Sequence, residues 1–287
     1  MIKSSIPFVG LHAHSTAGSP FDAIGYPQQH MDFAYENGCD ALALTDHGNC
    51  NGLAYQVLHA KSMEKEGKQF KPIYGCEAYF IPSLKEWEEI YSKSKSEKGS
   101  KKNSPTSGGF TVEDETATKS VKDILNRRRH LVLLAQNQTG LNNIFKLISQ
   151  SYKPGNFYRF PRIDYDLLRT HSEGIIASSA CLGGIYAGDL WENIDNGDEA
   201  VLNAMRKTTE NMQSILGDRW YAELQWFKHP TQMKLNKFII QVAKEYNIEL
   251  ISTADSHYFN PDVWKSRELY KRFRPGATAF FGEMSED

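Results

Sequence analysis

The sequence predicts an α/β fold, a barrel built from seven β-α units. Three observations carry that expectation. Seven short apolar or β-branched runs recur, at residues 8–11, 41–45, 72–80, 131–135, 174–178, 220–224 and 249–253. Most are followed by a stretch of helical character, at 27–37, 53–66, 140–152, 199–216 and 232–246, and that alternation argues for parallel β-α units. The runs ALALT and HLVLLA are almost continuously apolar, as strands of a sheet covered on both faces are. Seven repeats suffice to close a barrel; an open doubly wound sheet is the structural alternative. The 287 residues, 40% apolar and 24% charged, can bury a sizeable core.

Taken in order, the runs carry polar residues where such barrels place their chemistry, at strand ends. The first closes with His12-Ala13-His14, and residues two apart on a strand share a face. The second closes with Thr45-Asp46-His47-Gly48-Asn49. Asp46 faces away from His47 and either caps a turn or the next helix or joins the chemistry. The third contains Glu77 within YGCEAYF, and the fourth opens with His130. Between them, residues 92–120 are polar and low in complexity, with Lys93, Lys95, Lys98, Lys101 and Lys102 bunched together. Such composition buries too little apolar area to offset ordering entropy, so a mobile insertion within a single domain is expected. Its lysines form either a solvated loop or a flap that touches a polyanion. Arg159 and Arg162 in YRFPRID precede the fifth run and either clamp a phosphate bidentately or form structural salt bridges. The fifth run leads into SSACLGG, with Cys181. Glu223 and His229 lie near the end of the sixth, placed to support ligands from behind, with His229 also a candidate substrate contact. The seventh closes with Asp255-Ser256-His257.

A net charge of −2 gives no support to a nucleic-acid binder held by bulk charge, although a loaded metal site can be locally positive. Cys39, Cys50, Cys76 and Cys181 form no C-x-x-C pair, which suggests a reducing, cytoplasmic setting. The start has no signal pattern, and no window approaches the roughly 18 apolar residues of a membrane span.

A lone His-x-His, Asp-x-His, Glu or Cys is more often structural than a ligand. Here six of the seven runs carry a ligand-type residue at or near an end, and five of the nine histidines fall there. Independent placement would rarely produce that coincidence. Imidazole suits zinc, iron and manganese, and carboxylates suit manganese and magnesium. Eight or nine ligands exceed the roughly four that one zinc ion takes, so two or three ions sharing a carboxylate are expected. Paired metals activate water and stabilise the attacking and leaving oxygens of a phosphoester, which makes phosphoester hydrolysis the expected reaction.

These motifs, in this order, resemble the polymerase and histidinol phosphatase (PHP) family, whose distorted (β/α)7 barrels hold up to three metal ions. LHAHS, ALALTDHGNCNGL, KPIYGCEAYF, FYRFPRIDYDLL, SSACLGG and TADSHYF are similar to the N-terminal PHP domain of bacterial DNA polymerase III alpha subunits, from about residue 7 to about residue 270. The resemblance implies His12, His14, Asp22, His47, Glu77, His130, Cys181, Asp255 and His257 as ligands of two or three zinc, manganese or iron ions. Of these, His12, His14, His47, Glu77, His130, Asp255 and His257 are expected to carry catalysis. The stretch HSTAGSPFDA is one residue longer than the family's usual spacing to the acid at Asp22.

The resemblance also implies a 3′→5′ exonuclease acting on single-stranded or frayed DNA 3′ ends. A small-molecule phosphomonoesterase, or a metal-stabilised scaffold that docks a polymerase or other replication proteins, is the alternative. Residues after 257 offer no room for the other polymerase domains, so a stand-alone PHP protein, a split-gene product or a truncated chain is expected.

Overall fold

The computed structural model describes residues 8–101 and 125–273. In chain order the elements are α1 (Pro27–Glu36), β1 (Ala41–Leu44), α2 (Leu53–Lys65), β2 (Lys71–Phe80), α3 (Leu84–Lys101), β3 (Arg129–Ala135), α4 (Gln138–Ser151), β4 (Phe157–Tyr158) and β5 (Phe160–Pro161). There follow α5 (Tyr165–Thr170), β6 (Ile175–Ser178), α6 (Ile185–Asn193), α7 (Asp198–Leu216), β7 (Trp220–Gln225), α8 (Pro230–Tyr246), β8 (Leu250–Thr253) and α9 (Trp264–Lys271). Six strands form one curled sheet in the order β1-β2-β3-β6-β7-β8, and β4 and β5 pair as a separate hairpin. The fold is the distorted α/β barrel that the sequence predicts.

Closure depends on the first apolar run, which forms isolated bridges in place of a ladder. Gly10 bridges Leu42 and Ala13 bridges Ser256, both parallel. The Thr45 amide donates to Ala13 O at 2.8 Å, and the His14 amide to Ser256 O at 2.8 Å. Residues 10–14 therefore tie β1 to the end of β8 and hold both histidines of the first motif between them.

One strand departs from the parallel expectation: β3 runs antiparallel to both β2 and β6. The chain leaves β2 at its C-terminal end and returns at that same end, so Arg129 pairs with Phe80. A return at the same end gives an antiparallel neighbour. Strand β2 serves two partners, pairing with β1 over residues 71–74 and with β3 over 75–80. Gly75 stands at the change, where a Cβ would lie 2.5 Å from Leu133 O.

Alternation along the strands separates inside from outside. Cys76, Ala78, Leu131, Leu133, Ala177, Trp220, Ala222 and Leu224 join the main core with residues of α4, α6, α7 and α8. The residues between them point inward: Ala43, Val132 and Leu134 form a small separate cluster, and Glu77 and Glu223 are fully buried.

Part of the stretch expected as a mobile insertion is helical. Residues 92–101 continue α3, which is anchored by buried Leu84 and Trp87 and by partly buried Ile90 and Tyr91. An apolar first face lets lysine and glutamate, good helix formers, extend the helix outward. Residues 102–120, with Lys102, lie outside the described residues. No helix among the described residues is long and apolar enough to cross a membrane.

Candidate metal centre

All nine ligand-type residues meet at one rim of the barrel. The bridges of residues 10–14 bring His12 and His14 beside Asp255 and His257; the Ser256 amide donates back to His12 O at 3.2 Å. A parallel bridge joins His47 to Glu77. Because β3 is antiparallel, its opening residue His130 lies opposite Tyr79 and thus at the same rim. The His130 amide donates to Gly183 O at 2.8 Å, and the Gly183 amide donates to Cys181 Sγ at 3.3 Å, which sets the fifth loop against it.

Glu77 is the hub. Its Oε1 lies 3.0 Å from His12 Nε2 and 3.1 Å from His130 Nδ1, and its Oε2 lies 2.6 Å from His47 Nδ1 and 3.7 Å from His14 Nε2. Asp255 Oδ1 lies 3.0 Å from His14 Nε2, 3.3 Å from His12 Nε2 and 3.6 Å from His257 Nδ1. Asp22 Oδ2 faces His47 Nε2 at 3.2 Å and His257 Nε2 at 3.5 Å. Cys181 Sγ lies 3.4 Å from His130 Nδ1 and 3.9 Å from Glu77 Oε1.

Burial would push all three carboxyl groups up, but the imidazoles outweigh it. His130, His12 and His47 hold Glu77 well below the carboxylate range; His12, His14 and His257 do so for Asp255, and His257 and His47 for Asp22. Burial and the neighbouring His47 lower His14 to about 3, leaving it neutral with a lone pair to give. His47 is raised to about 10, since the Glu77 and Asp22 carboxylates overcome its burial.

Among the described residues, three groups have the spacing of a metal's ligand shell: His12, His14 and Glu77; His47, Glu77 and His130; and His14, His47 and His257. The fit rests on unmet valence. His12 Nε2, His47 Nδ1 and Glu77 Oε2 are buried without a hydrogen-bond partner; their neighbours are near enough for ion pairing but misaligned for hydrogen bonding. Buried polar atoms without partners cost free energy, so their convergence at this rim fits bound cations.

The surrounding residues aim the ligands. Glu223 accepts from His12 Nδ1 at 2.7 Å, from Ser178 Oγ at 2.6 Å and from Gln225 Nε2 at 3.0 Å, and it also contacts Thr253 Oγ1. With Nδ1 thus engaged, Nε2 is the ring atom that His12 turns to the centre. Asp46 is structural: it accepts from the Ser15 amide at 2.7 Å, Ser15 Oγ at 2.8 Å and Ser19 Oγ at 2.9 Å, tying down the 15–19 turn. Phe21, Ala180 and Asp255 have φ of 62°, 59° and 49°. Left-handed backbone at non-glycine residues is strained, and here it falls at or next to three ligands.

Arg162 is placed differently from a phosphate clamp. It is fully buried, and it donates to Leu125 O at 2.8 Å, Tyr158 O at 2.9 Å, Phe160 O at 2.9 Å and Arg127 O at 3.0 Å. Its donors are committed to backbone, so the salt-bridge alternative is replaced by a carbonyl cradle. Arg159 is exposed in the β4–β5 turn, with φ of 61°. His229 is exposed at the N-terminus of α8. Sequence reasoning missed Ser15, Ser19 and Arg267, which hold Asp46 and Asp22. Their bonding partners lie 27 to 245 residues away.

Fold and rim together define an α/β barrel with a ligand-rich mouth. The chain belongs to the PHP domain family, whose model matches residues 10–226. It is 34% identical over 258 residues to the DNA polymerase III subunit alpha of Aquifex aeolicus, covering 89% of this chain and 18% of that protein. It is 32% identical over 272 residues to the same subunit of Helicobacter pylori strain J99, covering 93% and 19%. The chain thus spans about a fifth of the length of these curated relatives. Among solved structures, it is similar to an amidohydrolase from Chromobacterium violaceum with bound sulfate and no metal (16% identity, TM-score 0.44, 91% of this chain and 96% of that one). It is also similar to histidinol phosphate phosphatase from Lactococcus lactis complexed with zinc, L-histidinol and phosphate (13% identity, TM-score 0.43, 92% of each).

Proposed function

We propose that the chain is a divalent-metal phosphoesterase that cleaves the terminal phosphodiester at the 3′ end of single-stranded or frayed DNA. It would act in the cytoplasm beside a DNA polymerase or other replication proteins. The observation that carries the reading is the set of unpartnered buried atoms around Glu77. The DNA substrate is supported by relatives that are DNA polymerase III alpha subunits across 89–94% of this chain. When bound, divalent ions supply water activation and neutralise charge on the phosphoryl group.

A neutral imidazole has one lone pair to give, so His14 and His47, each in two of the three groups, take part in one apiece. One consistent division puts His12, His14, Glu77 and Asp255 on a first ion, Glu77, His130 and Cys181 on a second, and Asp22, His47 and His257 on a third. Glu77 would be the carboxylate shared by the first two. His12 is oriented by Glu223, and Arg159 offers an exposed guanidinium to the DNA backbone.

The test uses purified protein loaded with Mn²⁺, Zn²⁺ or Fe²⁺, a 5′-labelled oligonucleotide and a nitrophenyl phosphate. Stepwise release of nucleotides is expected, and it is abolished in His14→Ala and Asp255→Asn variants that circular dichroism shows to be folded. Full activity in folded His14→Ala refutes the metal mechanism. Release of nitrophenol alone points to a phosphomonoesterase, and a loaded but inert wild type to a docking scaffold.

A further inference from the structure

We infer that Arg267 of α9 is the positioning residue for Asp22, setting it to offer one oxygen, Oδ2, to a divalent cation shared with His47 and His257. The inference rests on the metal reading of the rim and deepens it, since α9 lies beyond the residues matched by the family model. The Arg267 guanidinium grips Asp22 twice: Nε donates to the backbone carbonyl at 2.7 Å and an Nη to Oδ1 at 3.0 Å. With Oδ1 engaged, Oδ2 is the oxygen turned to His47 at 3.2 Å and His257 at 3.5 Å. Chelation through both oxygens is thereby disfavoured.

Asp22 needs this help more than its neighbours. The side chains of His12, His14 and Glu77 are fully buried and fixed by packing, whereas that of Asp22 is 31% exposed. An exposed carboxylate samples several rotamers, and holding one of them lowers the entropy lost on metal binding. The planar fork of arginine spans carbonyl and carboxylate together, a geometry that a lysine ammonium cannot reproduce. A second tie joins the same two segments: the Phe21 ring stacks on Tyr270 at 5.5 Å between centroids, beside the strained Phe21 backbone.

The test is metal uptake, with Mn²⁺ and Zn²⁺ as probes, measured by titration calorimetry and elemental analysis on the full chain. Arg267→Ala is expected to weaken the weakest class of sites by about 10- to 100-fold, the usual cost of removing a residue that orients a ligand. Arg267→Lys should recover only part of that loss. In an Asp22→Asn background, adding Arg267→Ala should change affinity by less than about two-fold, because the two residues act as one unit. Tyr270→Leu removes only the second tie and should weaken uptake by less than Arg267→Ala does. Wild-type uptake by Arg267→Ala, an undiminished effect of Arg267→Ala in the Asp22→Asn background, or equal loss in Tyr270→Leu would overturn the inference while leaving the metal centre standing. A wild type that takes up neither ion would overturn both.

Discussion

Two regions of this barrel bury charge, and they treat it in opposite ways. Around Arg162 four hydrogen bonds of 3.0 Å or less end on backbone carbonyls, and the guanidinium lies over the Trp87 ring. Around Glu77, three buried atoms lack an aligned hydrogen bond and face only charged neighbours at ion-pair distance. A satisfied buried charge rigidifies what surrounds it, while an unsatisfied cluster holds free energy that a ligand can recover. By that criterion the first region is a peg that joins the segment before β3 to the β4–β5 hairpin, and the second is the candidate site.

The largest expected effect breaks the comparison at its functional side. Glu77→Gln keeps the shape but removes the charge shared by two ligand groups. Hydrolysis should fall by at least about a thousand-fold, roughly 4 kcal/mol of barrier, with the far-ultraviolet circular dichroism unchanged. A steady-state assay in saturating Mn²⁺ reads it; activity within about ten-fold of wild type would remove Glu77 from the chemistry.

Arg162→Met tests the other side. It strands four carbonyls in the interior, so a loss of about 3 kcal/mol or more in urea unfolding is expected, with metal stoichiometry unchanged where the protein remains folded. Loss of metal without loss of stability would mean that the peg belongs to the site after all.

Much of this contrast was legible in the sequence. The laddered runs begin and end within a residue or two of expectation because buried strands are read from apolar continuity, a local property. Ligand spacing was legible too, since H-x-H and D-x-H need only the two-residue repeat of an extended chain. Direction was harder. His130 opens its run while His47, Cys181 and Asp255 follow theirs, and only an antiparallel strand brings an opening residue to the common rim. That signal was present in the sequence, but β-α alternation favoured a parallel reading. The fate of Arg162 was not legible, because a guanidinium for phosphate and one for carbonyls look alike in sequence, and three of its four bonds reach the hairpin or the segment before β3. Asp22 depends on Arg267, 245 residues away, which no local pattern encodes.

Metal removal probes the comparison without mutation. Chelation should lower the unfolding midpoint, and re-addition of Mn²⁺ at about 100 times its dissociation constant should return about 2.7 kcal/mol per site. Glu77→Gln should show little of this response and Arg162→Met all of it. Equal responses in both variants would mean that the ions bind elsewhere.

The smallest effect asks whether an unpartnered buried atom is by itself a sign of function. Asp189 on α6 supplies the control: its Oδ2 is buried without a hydrogen-bond partner, yet it belongs to none of the ligand groups found among the described residues. Burial raises its pKa to about 7, and Glu192 adds to the rise. The folded state therefore holds a proton between about pH 4 and pH 7 that the unfolded chain has released. Stability is lost as pH rises through that window, and the full cost is present above it. Asp189→Asn removes the charge and keeps the shape. It should match the wild type near pH 4, gain steadily from about pH 4 to 7, and stand more stable at pH 8 by the full cost accumulated over that window. Urea unfolding of both proteins across that range isolates the difference, because the other titrating groups cancel. Metal uptake and hydrolysis should not change. If Asp189→Asn instead lost metal or activity, burial without a partner would be the sufficient signal; if it gained only stability, what marks the Glu77 rim is convergence of ligands upon the unpaired atoms.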